Sequence, residues 1–124
     1  MWKLSATDLI AAYRAGTLTP VEVMRCTLDR AAALNPAINA LYDIDAAGAM
    51  AAAEASAARW RAGAPVGPLD GVPCIVKDSI AVTGMRMLRG LAARRDAGPD
   101  AADSPPAARL REAGAIIFAK STMP

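Results

Sequence analysis

Two short apolar runs, with helix-start signals between them, constrain the fold of this chain more than any other feature. Residues 72–76 and 116–119 are too short for helices and too continuously apolar for strands with one wet face, so they predict buried strands of a parallel sheet. Parallel strands need a crossover connection, and Ser104 followed by Pro105 predicts a crossover helix that ends at Gly114. The sequence therefore predicts an α/β fold.

Two capping-box patterns predict helices in the first third of the chain. Residues 5–8, Ser-Ala-Thr-Asp, place a hydroxyl and a carboxylate three positions apart. Residues 19–22, Thr-Pro-Val-Glu, repeat that spacing with proline at the first helical position. We expect the first helix to end at Gly16 and the second at residues 35–36, Asn-Pro, because the residue before a proline disfavours helix.

The middle of the chain predicts the beginning of the sheet. Residues 38–44 predict a strand, and Asp45 predicts the cap of an alanine-rich helix that ends at Arg61. The expected organisation is one unit with a helical lead-in, residues 1–37, and a partial α/β core, residues 38–124. N-terminal helices should precede a partial, mainly parallel sheet with crossover helices.

Composition excludes several classes of function. The 124 residues carry a formal net charge of +2, which gives no electrostatic footprint for a nucleic acid or a membrane surface. Histidine is absent, and Cys26 and Cys74 lack metal-ligand spacing, so a zinc site and a histidine-based triad are excluded within this sequence. Without a signal-peptide pattern or a membrane-spanning apolar run, we expect a cytoplasmic protein with reduced thiols.

Lysines follow both predicted strands. Lys77 and Asp78 come directly after the first strand, and Lys120 comes directly after the second. Because the carboxyl ends of the strands face the ligand crevice in open α/β sheets, both lysines are expected at one crevice. Residue type alone leaves two interpretations of Lys77, a solvated strand terminus or a general base for a serine nucleophile. Ser79 is close in sequence, but no Gly-rich oxyanion loop follows it, so both interpretations stay open.

The connection after the first predicted strand has no single interpretation. Residues 80–84 alternate like a brief strand or an extended loop, and residues 85–95 are rich in methionine and arginine. The arginines suit an anionic substrate. Carboxylates follow at Asp96, Asp100 and Asp103, however, and mixed-sign charge is typical of a solvated loop, which is the interpretation we favour.

Several ordered blocks resemble the amidase signature family. Residues 67–78, Gly-Pro-Leu-Asp-Gly-Val-Pro-Cys-Ile-Val-Lys-Asp, closely resemble its N-terminal motif, Gly-Pro-Leu-(His or Ala)-Gly-(Ile or Val)-Pro followed by an apolar run and Lys-Asp-Asn. Residues 35–40 resemble its Asn-Pro…Asn-Ala segment. Residues 110–115 and 119–124 resemble its Leu-Arg-x-Ala-Gly-Ala and Gly-Lys-Thr-Asn-Met-Pro blocks. Several blocks at fitting spacing are more specific than one short motif.

The resemblance implies hydrolysis of a carboxamide by a serine, cis-serine and lysine triad. Lys77 matches the triad lysine, which accepts a proton through the bridging serine while the other serine attacks the carbonyl. Asp78 is interpreted as an orienting or structural residue. The family's two serines and its Gly-Ser-rich oxyanion loop lie C-terminal to residue 124, so this chain alone is expected to be an inactive part of one domain.

We expect no cofactor and no metal. The expected partners are a small-molecule amide substrate for the complete enzyme, and either a second copy of the chain or the remaining C-terminal portion; no nucleic acid is bound directly. Two alternatives stay open: an amidase-like subunit of a glutamyl/aspartyl-tRNA amidotransferase, and a non-catalytic truncated remnant or binding module. Two positions depart from the family pattern. Ser79 stands where asparagine is usual, and residues 87–91 stand where the family commonly has small hydroxyl residues. The second departure affects the expected contacts with the substrate.

Overall fold

The computed structural model describes residues 1–123. This part of the chain forms, in order, α1 (Ala6–Ala15), α2 (Pro20–Ile38), β1 (Leu41–Tyr42), α3 (Ala46–Arg61), β2 (Pro73–Lys77), a 3-10 turn (Ala92–Arg94), α4 (Pro105–Glu112) and β3 (Ile116–Ser121). The strand order is β1-β3-β2, with β2 parallel and β1 antiparallel to β3. The predicted α/β class and the parallel pair of strands are confirmed.

Side-chain caps begin the first three helices, as predicted. At α1, the Ser5 hydroxyl accepts from the Asp8 N–H, and the Asp8 carboxylate accepts from the Ser5 N–H at 3.0 Å. Thr19 and Glu22 form the same reciprocal pair at α2. Asp45 caps α3 by accepting from the backbone N–H three residues further on, at 2.8 Å. Each cap satisfies backbone donors that the first turn of a helix leaves free.

The fourth helix begins in a different way. The Ser104 hydroxyl does not cap α4 but donates to the Ala81 carbonyl at 3.1 Å. The neighbouring Asp103 carboxylate accepts from the Thr83 N–H at 2.7 Å and from Arg111 Nε at 2.8 Å. These bonds attach residues 80–84 to α4, so of the two predicted alternatives this segment is the extended loop.

The second helix continues beyond its predicted end. α2 runs to Ile38 with Pro36 inside it, so the predicted end at residues 35–36 is wrong by one turn or less. Pro36 lacks the N–H that would bond the carbonyl four residues earlier, and the helix ends only two residues after it. Asn39 ends the helix in the left-handed region, at φ 47°, and donates its N–H to the Asn35 carbonyl at 2.7 Å.

The first strand is shorter than predicted. The sequence predicts a strand over residues 38–44, but β1 contains only Leu41 and Tyr42. Asn39 and Asp43 lie on either side with φ of 47° and 48°, and this left-handed backbone interrupts extended structure. The Asn35 side chain bonds both backbone groups of Leu41, at 2.8 and 2.9 Å, and so joins β1 to α2.

The sheet is covered unevenly. Phe118 of β3 packs with Met24 of α2 on one face, and Val76 of β2 lies in a separate apolar cluster. β2 is an edge strand within residues 1–123, and its Ile75 is 44% exposed. The prediction that residues 72–76 are buried on both faces is therefore wrong for the described part of the chain, because α3 and α4 lie mainly against β3 and leave one side of β2 uncovered.

The turn before β2 packs directly on the turn before β3. A Cβ on Gly67 would lie 2.6 Å from the Ala113 carbonyl oxygen, and a Cβ on Gly114 would lie 2.7 Å from the Asp70 Cα. The Leu69 N–H donates to the same Ala113 carbonyl at 2.8 Å. Glycine at both positions therefore allows the two parallel strands to start side by side.

Candidate functional site

Lys77 is the last residue of β2. It pairs with Ser121 across the sheet, and its side chain is exposed. Among residues 1–123, its ammonium forms no hydrogen bond and no ion pair. The structure therefore places Lys77 at the carboxyl end of a parallel strand, with a side chain that is free to meet another group.

Lys120 does not share a crevice with Lys77, so that prediction is wrong. Lys120 pairs with Val76, one residue before Lys77, and successive residues of a strand point to opposite faces. Its side chain is fully buried, and its Nζ donates to the Asp78 carbonyl at 3.3 Å and to the Ile80 carbonyl. Burial lowers the pKa of Lys120, while Asp78 opposes that shift.

Asp78 is buried at the end of β2, with only 2% of its surface exposed. Its carboxylate accepts from the Tyr42 hydroxyl, from the Leu88 N–H at 2.6 Å and from the Gly90 N–H at 2.8 Å. Burial by itself raises the pKa of Asp78, but the hydrogen bonds from Tyr42 and the backbone amides outweigh it, and the pKa lies below its ordinary value. The carboxylate is therefore charged, and both of its oxygens accept hydrogen bonds from within the fold.

Asp43 and Arg86 form a second anchor near the same strand end. Arg86 Nη2 lies 2.6 Å from Asp43 Oδ1, and the Arg86 N–H donates to Asp43 Oδ2 at 2.7 Å. Arg94 Nε donates to the Met87 carbonyl at 3.0 Å. The interpretation of residues 85–95 as a solvated loop is therefore wrong for Arg86 and Arg94, although Arg89 and Arg95 are exposed. The partner of Arg86 lies far away in sequence, where a local charge pattern cannot show it.

Asp70 occupies the turn that leads into β2. It is completely buried, and Arg59 of α3 holds it as a fork, with distances of 2.6 Å from Nη2 and 2.9 Å from Nε. The Val66 N–H donates to the same carboxylate at 3.0 Å. Burial raises the pKa of Asp70, but the bond to Arg59 and the other hydrogen bonds hold it below its ordinary value. Turn composition alone gives no sign that Asp70 forms this pair.

Acid should destabilise the fold through these carboxylates. The folded pKa values of Asp43, Asp70 and Asp78 lie below the ordinary value of 3.8, so their stabilisation is present above that pH and is lost as pH falls through the lower folded values. We expect the free energy of unfolding in urea to fall between pH 5 and pH 3, with a smaller fall in Asp78→Asn. A free energy that is constant over this range would contradict the prediction.

A cleft of about 850 Å³ lies away from Lys77. It is bordered by α3 and residues 83–86, and Arg59, Arg86 and Arg111 line it. Each of these arginines is paired with an aspartate. Because their charges are already neutralised within the fold, the cleft lacks a free cation for an anionic substrate among the described residues.

Two further classes of structure are absent from residues 1–123. No group of three histidine, cysteine, aspartate or glutamate side chains lies close enough together to hold a metal ion. No helix in the same range has the length and apolar character needed to cross a bilayer. Ser79 lies exposed two residues beyond Lys77 and forms no part of the Asp78 hydrogen-bond cluster.

Comparison with known proteins gives a match over nearly the whole chain. The sequence model of the Amidase family matches residues 22–124. The chain is 38% identical to a glutamyl-tRNA(Gln) amidotransferase subunit of Acidothermus cellulolyticus, covering 96% of this chain and 23% of that protein. It is 34% identical to the indoleacetamide hydrolase of Bradyrhizobium diazoefficiens, covering 100% of this chain and 24% of that protein.

Solved structures show the same fold. The native peptide amidase of Stenotrophomonas maltophilia superimposes with a TM-score of 0.85 and 31% identity, over 96% of this chain and 24% of that one. The chain thus spans about a quarter of the length of the relatives that it matches. It corresponds to their N-terminal part.

Proposed function

Because this chain belongs to the amidase signature family, we propose that it is the N-terminal part of an amide-hydrolysing enzyme in which Lys77 is the general base. Residues 1–124 would then be the first part of a single domain. The observation that supports the role of Lys77 is its position: an exposed side chain without a bonding partner among residues 1–123, at the carboxyl end of a strand and directly before a rigidly bonded aspartate. Lys120, by contrast, is held by two backbone carbonyls and is unavailable for proton transfer.

The proposed reaction uses Lys77 as a proton carrier. In its neutral form the amine accepts the proton of the nucleophilic serine through the bridging serine, and the serine oxygen forms a bond to the amide carbonyl carbon. The proton is then passed to the leaving nitrogen as the C–N bond breaks. Both serines would come from the part of the enzyme that is C-terminal to residue 124. Asp78 takes no part in proton transfer because its carboxylate is occupied by three donors.

A second candidate is the amidase-like subunit of a glutamyl-tRNA amidotransferase. It is favoured by the 38% identity to the Acidothermus amidotransferase protein, which is similar to the identity to the hydrolase. In that case the same lysine chemistry would release ammonia within a complex. A third candidate, of a different class, is a non-catalytic remnant or binding module that keeps the fold without the reaction.

The expected partners follow from these candidates. For the amidase we propose a small-molecule amide substrate, with either a second copy of the chain or the remaining C-terminal portion completing the site. For both candidates we propose that this part of the chain does not contact nucleic acid directly, since its formal net charge of +2 gives no electrostatic footprint for it. We also propose a cytoplasmic location, in which Cys26 and Cys74 would stay reduced.

The 124-residue chain alone is expected to hydrolyse no amide above background, because a base without its nucleophile and oxyanion donors retains little catalysis. Purified chain should be assayed for ammonia release from indoleacetamide. Hydrolysis that disappears in Lys77→Ala would show that the chain contains a complete site, and would contradict this prediction.

A chimera tests the proposed function directly. This chain replaces the matched N-terminal quarter of the Bradyrhizobium indoleacetamide hydrolase, and ammonia release from indoleacetamide is measured. A matching chimera in the Acidothermus protein, assayed within its amidotransferase, tests the second candidate. Activity in either chimera supports an enzymatic role. Chimeras that unfold cooperatively but are both inactive would favour the non-catalytic remnant.

A further inference from the structure

We infer that Asp78 is a positioning residue, which fixes the backbone next to Lys77 and holds segment 86–90 at the carboxyl end of β2. The inference relies on the proposed function only in taking Lys77 as the base. It also gives a structural role to the arginine-rich residues 85–95, which take no direct part in the proposed reaction.

All the polar groups of Asp78 are bonded. Its N–H donates to the Ser121 carbonyl at 3.0 Å, which continues the pairing of β2 with β3. Its carbonyl accepts from the buried Lys120 ammonium at 3.3 Å. Its carboxylate accepts from Tyr42, which belongs to β1, and from two amides of segment 86–90. All three strands and the connection after β2 therefore meet at this residue.

The backbone of Lys77 is fixed as a consequence, while its side chain stays free. The Ile80 N–H donates to the Lys77 carbonyl at 3.0 Å, and the Ile80 carbonyl accepts from Lys120. The strand end is thus a closed turn over residues 77–80. A general base works best when the atoms that carry it are held before the substrate arrives, so this turn is the kind of support that Lys77 needs.

Segment 86–90 depends on the Asp78 carboxylate for its shape. Arg89 and Gly90 are consecutive residues with positive φ, 54° and 65°, and such a conformation is unfavourable for arginine. It turns the N–H groups of Leu88 and Gly90 towards one point, where the carboxylate accepts both. Charge-assisted bonds of this kind offset the strain, and a neutral group of the same size would not.

The other attachments lie on either side of this point in sequence. Asp43 pairs with the Arg86 side chain, the Tyr42 hydroxyl lies 3.1 Å from the Arg86 carbonyl oxygen, and Arg94 donates to the Met87 carbonyl. Arg89 has an exposed side chain at the tip between them. Loss of the Asp78 charge should therefore open the tip of the segment and leave the bonds of Arg86 in place.

The test uses the 124-residue chain and the variant Asp78→Asn, which keeps the size but presents one N–H₂ group to donors. Trypsin cleavage after Arg89 is expected to accelerate about tenfold or more, because one or both charge-assisted bonds are lost. Cleavage after Arg14 in α1 should be unchanged. The control is Asp96→Asn, an exposed carboxylate of the same connection, which should leave both rates unchanged.

A spectroscopic measurement separates positioning from general destabilisation. In NMR spectra, the amide protons of Leu88 and Gly90 should resonate downfield in the parent chain and move upfield in Asp78→Asn. The Ile80 amide, which bonds the Lys77 carbonyl, should exchange with solvent at least about tenfold faster, while amides within α2 and α3 keep their protection. Uniform acceleration of all amides would mean a merely structural role and would overturn the inference.

A second variant covers the case in which Asp78→Asn does not fold. Tyr42→Phe removes the hydroxyl that contacts both the Asp78 carboxylate and the Arg86 carbonyl, and it leaves both backbone amides on the carboxylate, so cleavage after Arg89 should rise about threefold. Unchanged cleavage in Tyr42→Phe, or in a folded Asp78→Asn, would overturn the inference. These measurements need no amide hydrolysis. If the chimeras are inactive but segment 86–90 opens in Asp78→Asn, the role of Lys77 is refuted and that of Asp78 in holding the segment is kept. If the chimeras are active but segment 86–90 is unchanged in Asp78→Asn, only the role of Asp78 is refuted.

Discussion

Replacing Lys77 by alanine in the active chimera is expected to lower kcat/KM for the amide by about a thousandfold or more. A positioned general base contributes rate factors of roughly 10² to 10⁴, and groups of a triad act as a unit, so loss of one removes most of their joint effect. KM should change much less than kcat, because Lys77 would act on the proton in the transition state. Steady-state kinetics of ammonia release measure both quantities.

Two further variants test that expectation. Lys77→Arg keeps a long cationic side chain but cannot release its proton near neutral pH, so it should be as inactive as Lys77→Ala. Lys3→Ala removes a lysine outside the described sheet and should keep the activity of the chimera. If Lys77→Arg retained more than about a tenth of the activity, a purely electrostatic role would explain the data better than proton transfer.

Replacing Asp70 by alanine is expected to lower the free energy of unfolding by about 3 kcal/mol. The substitution removes the carboxylate that accepts from both the Arg59 guanidinium and the Val66 N–H. Because Asp70 is completely buried, both donors lose this acceptor at a buried position. Arg59 is 32% exposed, so water partly compensates it and the loss should lie at the lower end for buried pairs. Urea unfolding of the 124-residue chain at pH 7 measures the difference.

The matched control is Glu112→Gln. Glu112 also pairs with an arginine at 2.6 Å, but both side chains of that pair are more than half exposed, so the change should stay within about 0.5 kcal/mol. Equal losses in the two variants would show that the fork of Arg59 on Asp70 has no special importance. A loss under about 1 kcal/mol in Asp70→Ala would lead to the same conclusion.

Local signals predicted much of this fold. The caps at Ser5, Thr19 and Asp45 lie within three residues of the groups that they bond, so a short stretch of sequence contains the whole interaction. The parallel pair follows from two apolar runs and the crossover between them. The end of α2 could not be predicted equally well, because a proline in the last turn is tolerated when Asn39 and Asn35 secure the helix end.

The site was less predictable because it depends on register and on distant partners. The sequence shows that Lys77 and Lys120 each follow an apolar run, but only the pairing of Val76 with Lys120 shows that the two side chains point to opposite faces. Asp78 is bonded by Tyr42 and by segment 86–90, and neither contact has a signal in the sequence. The resemblance selected Lys77 as a candidate base, and its role stays a prediction.

The contact of Gly67 and Gly114 with the opposite turn has a kinetic consequence. It joins parts of the chain that are far apart in sequence, and so does the parallel pairing that follows it. Closing such a long loop costs entropy before any pairing energy is gained, whereas helices form from neighbouring residues. We therefore expect α2 and α3 to form first on folding. The β2–β3 pair, with Lys77 at its end, would be completed in the slow step.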